Sequence, residues 1–367
     1  MKIGTVTVHH AHNYGAMLQA YALQHALKKI NCETVLIDYD EIKSKIFVKV
    51  NTNSLKQILS GIYYNVIIFM KYKEMKRGFD RFEKFYNDEL DKTDKYVRLS
   101  DIKVDDIDML LVGSDQIWNM KNKDNRPFFE LNFGGEIRKA SYAASMGSYF
   151  TLTEEVKKHF INSLGEFDYI SVREKETGEY IKKITGKDYR IDIDPVFLLE
   201  MKDWDSLCEK AKCYELPNEY ILCYELINSD KTKICLEEMK RKTGLPVVVI
   251  TPNIYCNLKE KYIIRDAGPI EMVDLIRKAK YVVTTSFHGI VFSILYNRSF
   301  QAILTNHGVG RIKELLTNMR LEKQIFSDVK SINLNCDFNY SNEFICGDKM
   351  DSYNYLLKLK ETCKCVE

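Results

Sequence analysis

Short apolar segments alternate along the chain with longer segments whose apolar positions recur every three or four residues. At the start, this pattern predicts a strand over residues 2–8, a helix over 17–30 and a strand over 34–37. A second series begins with a predicted strand at 220–224. It continues with helices and strands in alternation, at 231–242, 246–251, 270–278, 281–284, 290–295, 301–304 and 310–318. Because strands that alternate with helices form parallel sheets, the chain is predicted to be α/β with two such sheets.

Pro195 closes the first series and is taken as the border between two domains. The predicted domains are residues 1–195 and 196–345. A C-terminal helical segment, 346–367, follows and is free to pack back on the first domain. The chain has 367 residues, more than the roughly 250–300 at which a single core stops growing. Length and pattern therefore both indicate two domains.

A helical excursion interrupts the first domain at about residues 41–95. Its apolar run, 58–70, is flanked by lysine and arginine and is shorter than the roughly 20 residues that span a bilayer. One interpretation is an interfacial helix whose basic flank contacts anionic lipid head groups, which would make the protein a peripheral membrane protein. The other is a helix packed on its own domain with a solvated basic face. The second is favoured because tyrosine, phenylalanine and Gly61 interrupt a clean amphipathic stripe.

Composition and cysteine spacing argue against several classes of protein. The chain has 54 basic and 52 acidic residues, a net charge of +2, which gives no general attraction to nucleic acid. The first predicted strand begins at the amino terminus without a signal sequence, so a cytoplasmic location is expected. The ten cysteines are scattered, and the close pair Cys363 and Cys365 lacks a second pair at zinc spacing. Reduced thiols and no metal site are therefore expected.

The stretch 281–295 carries the main candidate for a ligand site. Its strand and helix are joined by the turn 286–289, where Ser286 is the expected N-cap and Gly289 leaves room for a close backbone approach. Free N–H groups and the positive end of the helix dipole would converge there, which suits an anion. His288 would lie at the carboxyl edge of the sheet, where open α/β folds bind ligands. The alternative, a capping serine beside a core histidine, is favoured by the motif alone.

Polar residues also follow two other predicted strands. After the strand at 108–112 come Ser114, Asp115 and Gln116, which suit sugar hydroxyls or a proton transfer. A network of N-cap hydrogen bonds explains the same residues equally well. Arg173 ends a further strand, where it either forms an ion pair or holds a carboxylate or phosphate. Its position at a strand end favours the ligand role.

Four more residues complete the candidate set. Ser145 follows the predicted strand at 139–144. Asn13 and Gly15 lie in the first strand-to-helix turn, but the G-x-G-x-x-G fingerprint is missing, which disfavours a dinucleotide. Asn13 either contacts a ligand or bonds its own backbone to shape the turn. Arg311, on the helix at 310–318, faces either a cleft or the solvent.

Six short motifs occur in order along the chain. They lie at residues 13–16 with 18–23, 112–119, 141–147, 171–174, 194–195 and 285–289. Together they resemble the polysaccharide pyruvyl transferase family over most of the chain. The resemblance implies two Rossmann-like domains that face each other across a cleft, as in GT-B glycosyltransferases. It also implies transfer of a pyruvyl group from phosphoenolpyruvate to sugar hydroxyls as a ketal, during synthesis of a bacterial surface polysaccharide or cell-wall glycan.

With this resemblance, the expected partners are phosphoenolpyruvate, as the donor substrate, and a glycan acceptor that is free or lipid-linked, with no cofactor. His288 is expected in acid–base catalysis or phosphate departure, Asp115 at the acceptor hydroxyl and Arg173 on the donor. The expected substrate-binding residues are Asn13, Gly15, Ser114, Gln116, Ser145, Ser286, Phe287, Gly289 and Arg311.

One departure from the family pattern bears on the donor. Where the family tends to have an arginine, this sequence has Gln324, so Arg320 or Arg311 would have to replace it. A glycosyltransferase that uses a nucleotide sugar, and a non-catalytic glycan-binding protein, remain the alternative functions.

Overall fold

The computed structural model describes residues 1–9, 12–39, 54–119, 126–147, 152–226, 228–253, 256–305 and 309–364. The start of the predicted excursion, 41–53, and Cys365 lie outside these residues. No helix in the described ranges combines the length and apolar content that crossing a membrane requires.

The first half of the chain forms a parallel sheet. Its strands are β1 (Lys2–Val6), β2 (Glu33–Leu36), β3 (Met109–Val112) and β4 (Arg138–Ser141), in the order β2-β1-β3-β4. A further parallel pair, β5 (Ser171–Val172) and β6 (Arg190–Ile191), continues the sheet beside β4 through the bridges of Ala140 with Tyr169 and Ala144 with Val172. The polar residues that follow β3, β4 and β5 therefore meet at one carboxyl edge.

Helices surround this sheet. They are α1 (Tyr14–Lys29), α2 (Leu55–Met70), α3 (Tyr72–Glu89), α4 (Arg126–Phe129), α5 (Glu154–Gly165) and α6 (Lys175–Thr185). The first helix begins three residues before its predicted start because Asn13 caps it. A short 3₁₀ helix, Pro195–Leu198, follows β6 and ends this half.

The second half forms a five-stranded parallel sheet. Its strands are β7 (Ile221–Tyr224), β8 (Val247–Ile250), β9 (Tyr262–Ile264), β10 (Tyr281–Thr284) and β11 (Ser299–Ala302), in the order β11-β10-β7-β8-β9. Its helices are α7 (Met201–Cys208), α8 (Asp230–Thr243), α9 (Pro269–Lys278), α10 (Phe287–Leu295) and α11 (Val309–Asn318). The α/β architecture with two parallel sheets is thus confirmed.

The apolar core continues from one half into the other. One cluster of buried side chains includes Tyr14 and Met17 of α1 together with Tyr224, Phe287 and Phe292 of the second half. Helix α3 adds a polar link, because Arg81 forms an ion pair with Asp266 at 3.3 Å. The two sheets are therefore held with their carboxyl edges close to each other.

The excursion differs from the favoured prediction. Phe82 and Phe85 of α3 are buried, but most of the apolar side chains of α2 that the structure describes, among them Val66 and Phe69, are exposed. Among the large apolar residues that the structure describes on α2, only Ile58 is half-buried, so this helix is not packed on its own domain through its apolar side chains.

The last helix, α12 (Asn339–Lys364), returns to the first sheet. Leu356 and Leu359 are fully buried in a cluster with Ile3 of β1. The Tyr355 hydroxyl donates a hydrogen bond to the Ser141 carbonyl at 2.8 Å, at the end of β4. Helix α12 thus closes one face of the first half.

We expect Leu356→Ala to lower the free energy of unfolding by about 2–5 kcal/mol, because it leaves a cavity in a packed core. The neighbouring Leu357 is 39% exposed, so Leu357→Ala is the matched control, with an expected change below about 0.5 kcal/mol. Urea unfolding of both variants measures the difference. Equal losses would show that α12 is not docked on the first sheet.

Candidate active site

The turn between β10 and α10 has the predicted cap. The Ser286 hydroxyl accepts a hydrogen bond from the Gly289 N–H at 3.3 Å, and the Ser286 N–H donates to Thr284 Oγ1 at 3.0 Å. Gly289 is needed for internal packing, since a Cβ at this position would lie 2.5 Å from Thr284 Oγ1. The space at Gly289 that was predicted to admit a ligand is therefore filled by Thr284 of β10.

His288 is enclosed between the two halves. A Cβ built on Gly15, at the start of α1, would lie 2.0 Å from His288 Nδ1, so only glycine allows the imidazole to reach this position. The other ring nitrogen, Nε2, lies 3.5 Å from Asp194 Oδ2. The side chain is 8% exposed. His288 is thus a buried residue whose two nitrogens face the first half of the chain.

Arg173, which follows β5, is buried among three carboxylates. Its Nη1 donates to Asp194 Oδ2 at 2.7 Å and its Nε to Glu174 Oε1 at 2.9 Å. Burial would lower the pKa of Arg173, but Glu174, Asp194 and Asp115 together keep it above its usual value. The guanidinium is therefore a fixed positive charge.

Asp194 joins Arg173 to His288. Its Oδ2 faces both of them, while its Oδ1 accepts the Val196 N–H at 3.1 Å and caps the 3₁₀ helix after β6. Burial alone would raise the pKa of Asp194, but His288 and Arg173 lower it well below its usual value. Asp194 is consequently an ionised carboxylate at the contact between the two halves.

A second arginine reaches the same place from α11. Arg311 Nη1 lies 3.9 Å from Asp115 Oδ1, and Arg173 Nη2 lies 3.6 Å from the same oxygen. With its amide oxygen turned toward Arg311, Gln116 accepts N–H donors at 3.0 and 3.2 Å. Burial and the neighbouring Arg173 lower the pKa of Arg311 from its ordinary value.

Both guanidinium groups lie near the ring of Phe287. Its ring centroid is 4.6 Å from the guanidinium carbon of Arg173 and 5.6 Å from that of Arg311. Two buried N–H donors, Arg173 Nη2 and Arg311 Nε, have no hydrogen-bond acceptor in the described part of the chain. Since buried polar atoms are almost always paired, this pair of cations is well suited to accept an anionic ligand.

Three predicted binding residues are engaged in local structure. Ser114 donates its hydroxyl to the Ala143 carbonyl at 2.7 Å and its N–H to Gln19 at 2.9 Å. The Ser145 hydroxyl accepts the Gly147 N–H at 3.1 Å. Asn13 accepts the Gly15 N–H at 2.9 Å, as an N-cap does. The structural alternatives considered for Asn13 and Ser114 therefore account for their hydrogen bonds, and ligand contacts by these residues remain predictions.

Arg311, rather than Arg320, lies at the site. Arg320, in the turn after α11, is exposed, and its guanidinium carbon lies 3.9 Å from the ring centroid of Tyr340 at the start of α12. Gln324 is buried and lies 3.4 Å from the amide nitrogen of Gln301. Of the two arginines that sequence comparison left open, Arg311 is the one placed to contact a donor.

A cleft opens beside these residues, and the empty space inside it, including space open to solvent, is about 490 Å³. Its lining includes the two arginines, five carboxylates and three aromatic rings: Arg173, Arg311, Glu174, Asp192, Asp194, Glu314, Asp348, Phe197, Phe287 and Phe344. Two of these residues, Asp194 and Glu174, were not predicted as site residues. Asp194 is part of the 194–195 motif, and Glu174 adjoins Arg173. Glu314, Asp348 and the two phenylalanines at 197 and 344 carry no local signal in the sequence.

The groups of three or more histidine, cysteine, aspartate or glutamate side chains that a metal ion requires do not occur among the described residues. The side chain of Cys363 is not described either, so the prediction for the Cys363–Cys365 pair is untested.

Two parallel sheets that meet at their carboxyl edges define a GT-B-like α/β protein. The chain is similar in fold to UDP-N-acetylglucosamine 2-epimerase from Rickettsia bellii, with a TM-score of 0.54 and 11% identity over 100% of this chain and 98% of that chain. It is also similar to UDP-GlcNAc 2-epimerase from Methanocaldococcus jannaschii, with a TM-score of 0.54 and 12% identity over 98% of this chain and 100% of that chain. At such identities the likeness concerns the fold alone.

A family model for polysaccharide pyruvyl transferase matches residues 13–307. The protein therefore belongs to the polysaccharide pyruvyl transferase family, and the family implies a transferase. No curated protein matches the sequence.

We expect Asp194→Asn to destabilise the protein by about 3–5 kcal/mol near neutral pH, because it leaves Arg173 buried without its closest partner. The pKa of Asp194 is lower in the folded chain than in the unfolded one, so protonation of this carboxylate favours unfolding. Its stabilising effect should be complete above about pH 4 and lost as the pH falls further. Denaturant unfolding of the wild type and of the Asp194→Asn variant is measured across this pH range. The difference between their free energies of unfolding should become smaller as the pH falls.

The exposed pair of Asp188 with Lys182, at 2.7 Å, provides the control for that experiment. Asp188→Asn should change stability little, because exposed ion pairs are screened by water. An Asp194→Asn protein as stable as the wild type at neutral pH would contradict the assigned role of Asp194.

Proposed function

We propose that this protein transfers the pyruvyl group of phosphoenolpyruvate to two hydroxyls of a bacterial glycan, forming a ketal. The observation that carries the proposal is the pair Arg173 and Arg311, one from each half of the chain, which face Phe287 with N–H donors that lack acceptors. Membership of the family supplies the chemical class of the reaction.

Phosphoenolpyruvate carries a carboxylate and a phosphate on one three-carbon unit. Two guanidinium groups beside one ring can each bind one of these anions with paired N–H donors. The N-terminus of α10, which begins at Phe287, adds the positive end of a helix dipole. The donor would thus lie between the halves, in contact with both.

The reaction requires a defined movement of protons. A proton adds to the methylene carbon of phosphoenolpyruvate, and a sugar oxygen bonds to the central carbon as its own proton leaves. The bond from that carbon to the phosphate oxygen breaks, and phosphate departs with the electron pair and takes up a proton. The second sugar hydroxyl loses its proton as it closes the ketal. Acid–base groups are consequently needed on both the donor and the acceptor side.

Asp115 is the residue that we assign to the acceptor hydroxyl. It lies 3.6 and 3.9 Å from the two guanidinium groups, close enough to neutralise them but too far for a hydrogen bond. A donor anion that binds the two arginines would displace it electrostatically. The released carboxylate could then accept a proton from the sugar.

In this proposal, His288 supplies the proton that adds to the donor. In the structure its ring contacts Asp194, which lines the cleft, rather than the cleft itself. Delivery of a proton to the methylene carbon therefore requires the imidazole to turn toward the donor. The alternative is that His288 positions Asp194 and Arg173 without touching the substrate.

The acceptor fits the opposite side of the cleft. Carboxylates such as Glu314 and Asp348 accept hydrogen bonds from sugar hydroxyls, and the rings of Phe197 and Phe344 offer apolar faces. A region rich in carboxylates would repel an anionic donor. The lining thus favours a hydroxyl-rich acceptor here and the anionic donor at the arginines.

We expect His288→Ala and Arg173→Ala each to lower acceptor-dependent phosphate release from phosphoenolpyruvate by about 10²–10⁴-fold, the usual effect of losing an acid–base or transition-state contact. The assay uses phosphoenolpyruvate with a panel of lipid-linked sugars. If His288 acts as the acid, the rate at saturating donor should fall. If it only positions Arg173, the apparent affinity for the donor should fall instead.

Controls with the same chemistry are available outside the site. His25 packs on Tyr21 of α1, and Arg241 forms an exposed ion pair with Glu238, so His25→Ala and Arg241→Ala should retain activity. Thermal unfolding separates lost activity from lost folding. Wild-type rates in both His288→Ala and Arg173→Ala would exclude the assigned roles.

Asp115→Asn should separate donor binding from transfer. It removes a negative charge beside both arginines without changing the size of the side chain, so phosphoenolpyruvate should bind about tenfold more tightly, roughly 1.4 kcal/mol, as expected for one close charge at a partly buried site. Transfer to the glycan should nevertheless fall by at least ~10²-fold. Calorimetry measures the first effect and the phosphate-release assay the second.

UDP serves as the control ligand in the same calorimetry. Binding of UDP but not of phosphoenolpyruvate would favour a nucleotide-sugar glycosyltransferase. Sugar binding without turnover of either donor would favour a glycan-binding protein.

A further inference from the structure

Helix α2 presents its apolar side chains to the outside of the molecule. Leu59, Ile62, Val66, Phe69 and Met70 are all between 50% and 79% exposed. On a helix these positions fall within roughly 120° of arc, a single stripe that extends about 16 Å along the axis. The large apolar residues that normally face a core thus form one continuous outer surface, which we call the α2 stripe.

Of the half-buried positions that the structure describes on α2, only one is a large apolar residue. Ile58, Gly61 and Asn65 are half-buried. A surface helix of a globular protein shows the reverse arrangement, with its apolar face inward. The orientation of α2 is therefore that of a helix whose apolar face contacts something outside this chain.

Charge indicates what that contact is. Residues 54–77 contain five basic residues and only one acidic residue, Glu74, in a chain whose net charge is +2. Lys76 and Arg77 form ion pairs with Asp80 and Asp266. Lys71 and Lys73 follow directly after the last residue of the stripe. An apolar stripe bordered by lysines is typical of a helix that lies in the surface of a bilayer with anionic head groups.

A second copy of the chain fits the stripe less well. The sequence places a lysine near each end of α2, at positions 56 and 71. Two copies of α2 would bring like charges together in either a parallel or an antiparallel arrangement, which opposes pairing.

We propose that α2 attaches the protein to the surface of a membrane that contains anionic phospholipid. Helix α3 connects this surface to the site, since Phe79 meets the His12 ring edge-on at a centroid distance of 4.1 Å and Phe82 stacks on it at 5.1 Å. His12 directly precedes the turn that holds Gly15 against His288. If the proposed function is correct, a lipid-linked acceptor would reach the cleft from that membrane, but the attachment itself does not depend on the reaction.

Vesicle flotation tests the proposal with the full-length protein. Wild type should float with vesicles of phosphatidylcholine and phosphatidylglycerol, and less with phosphatidylcholine alone or at high salt. The double variant Ile62→Glu, Val66→Glu should reduce binding by at least ~tenfold, since two carboxylates would have to enter the interface. Glutamate is a good helix former, so α2 itself should persist.

A matched variant carries the same two changes elsewhere. Ile234 is 47% exposed on α8 and Val97 is 67% exposed, so Ile234→Glu, Val97→Glu should bind vesicles like the wild type. Lys71→Ala, Lys73→Ala should lose most of the preference for phosphatidylglycerol.

Three results would overturn the proposal. One is a wild-type protein that binds neither kind of vesicle. Another is equal loss of binding in the α2 variant and its matched control. The third is a wild-type protein that does not bind vesicles but sediments as a dimer, where the α2 substitutions dissociate that dimer. Calorimetry with phosphoenolpyruvate is unaffected by any of these outcomes, so failure here is distinct from failure of the proposed function.

Discussion

The ion pair of Arg173 with Asp194 is the contact on which the site depends. Both side chains are almost completely buried, at 4% and 1% exposure, and a buried charge is tolerated only with a partner and good hydrogen bonds. Asp194 also faces His288 from the second half at 3.5 Å. One carboxylate therefore fixes a cation of the first sheet and an imidazole of the second, and the relative position of the two halves is set where the chemistry is expected to occur.

Packing around this contact makes the cleft a preformed feature. Helix α1 contributes to the apolar cluster of the second half through Tyr14 and Met17, and the close approach of Gly15 to His288 leaves no room for a larger residue. Protein interiors at this density resist small shifts. The imidazole of His288 is consequently enclosed by the start of α1.

The fold was predictable because its signals are local. The strand at Tyr281–Thr284 was predicted to the residue, since it is a buried run of β-branched and aromatic side chains between a helix end and a capping serine. The strand Tyr262–Ile264 was not, because three residues after a charged segment give too little pattern. The orientation of α2 was missed for a different reason, since composition shows that a helix is apolar but not which face the rest of the chain covers.

The site was only partly predictable because its residues meet across the fold. Asp115, Arg173 and His288 each follow a strand, and the rule that ligands bind at the carboxyl edge of a parallel sheet selects them. Asp194 follows β6, a strand of only two residues that the sequence pattern did not predict, and its importance lies in a partner at position 173 and another at 288. Conversely, Ser114 satisfied the same rule, yet its hydrogen bonds are taken up by Ala143 and Gln19.

The charge balance of the cleft has a consequence for the order of binding. The carboxylates of its lining outnumber the two guanidinium groups, so an anionic donor can enter only where cations prevail locally. Burial raises the pKa of Glu314, as do Glu174 and Glu176 nearby, which shows that this side of the cleft already resists further negative charge. Near Arg173 and Arg311 the situation differs, because Asp115, unlike Glu174 and Asp194, makes no hydrogen bond to either guanidinium. Under the proposed function, a donor that binds there first would neutralise both arginines and release Asp115 toward the acceptor. An acceptor bound first would find that carboxylate still attracted to the cations, so the proposed function implies donor before acceptor.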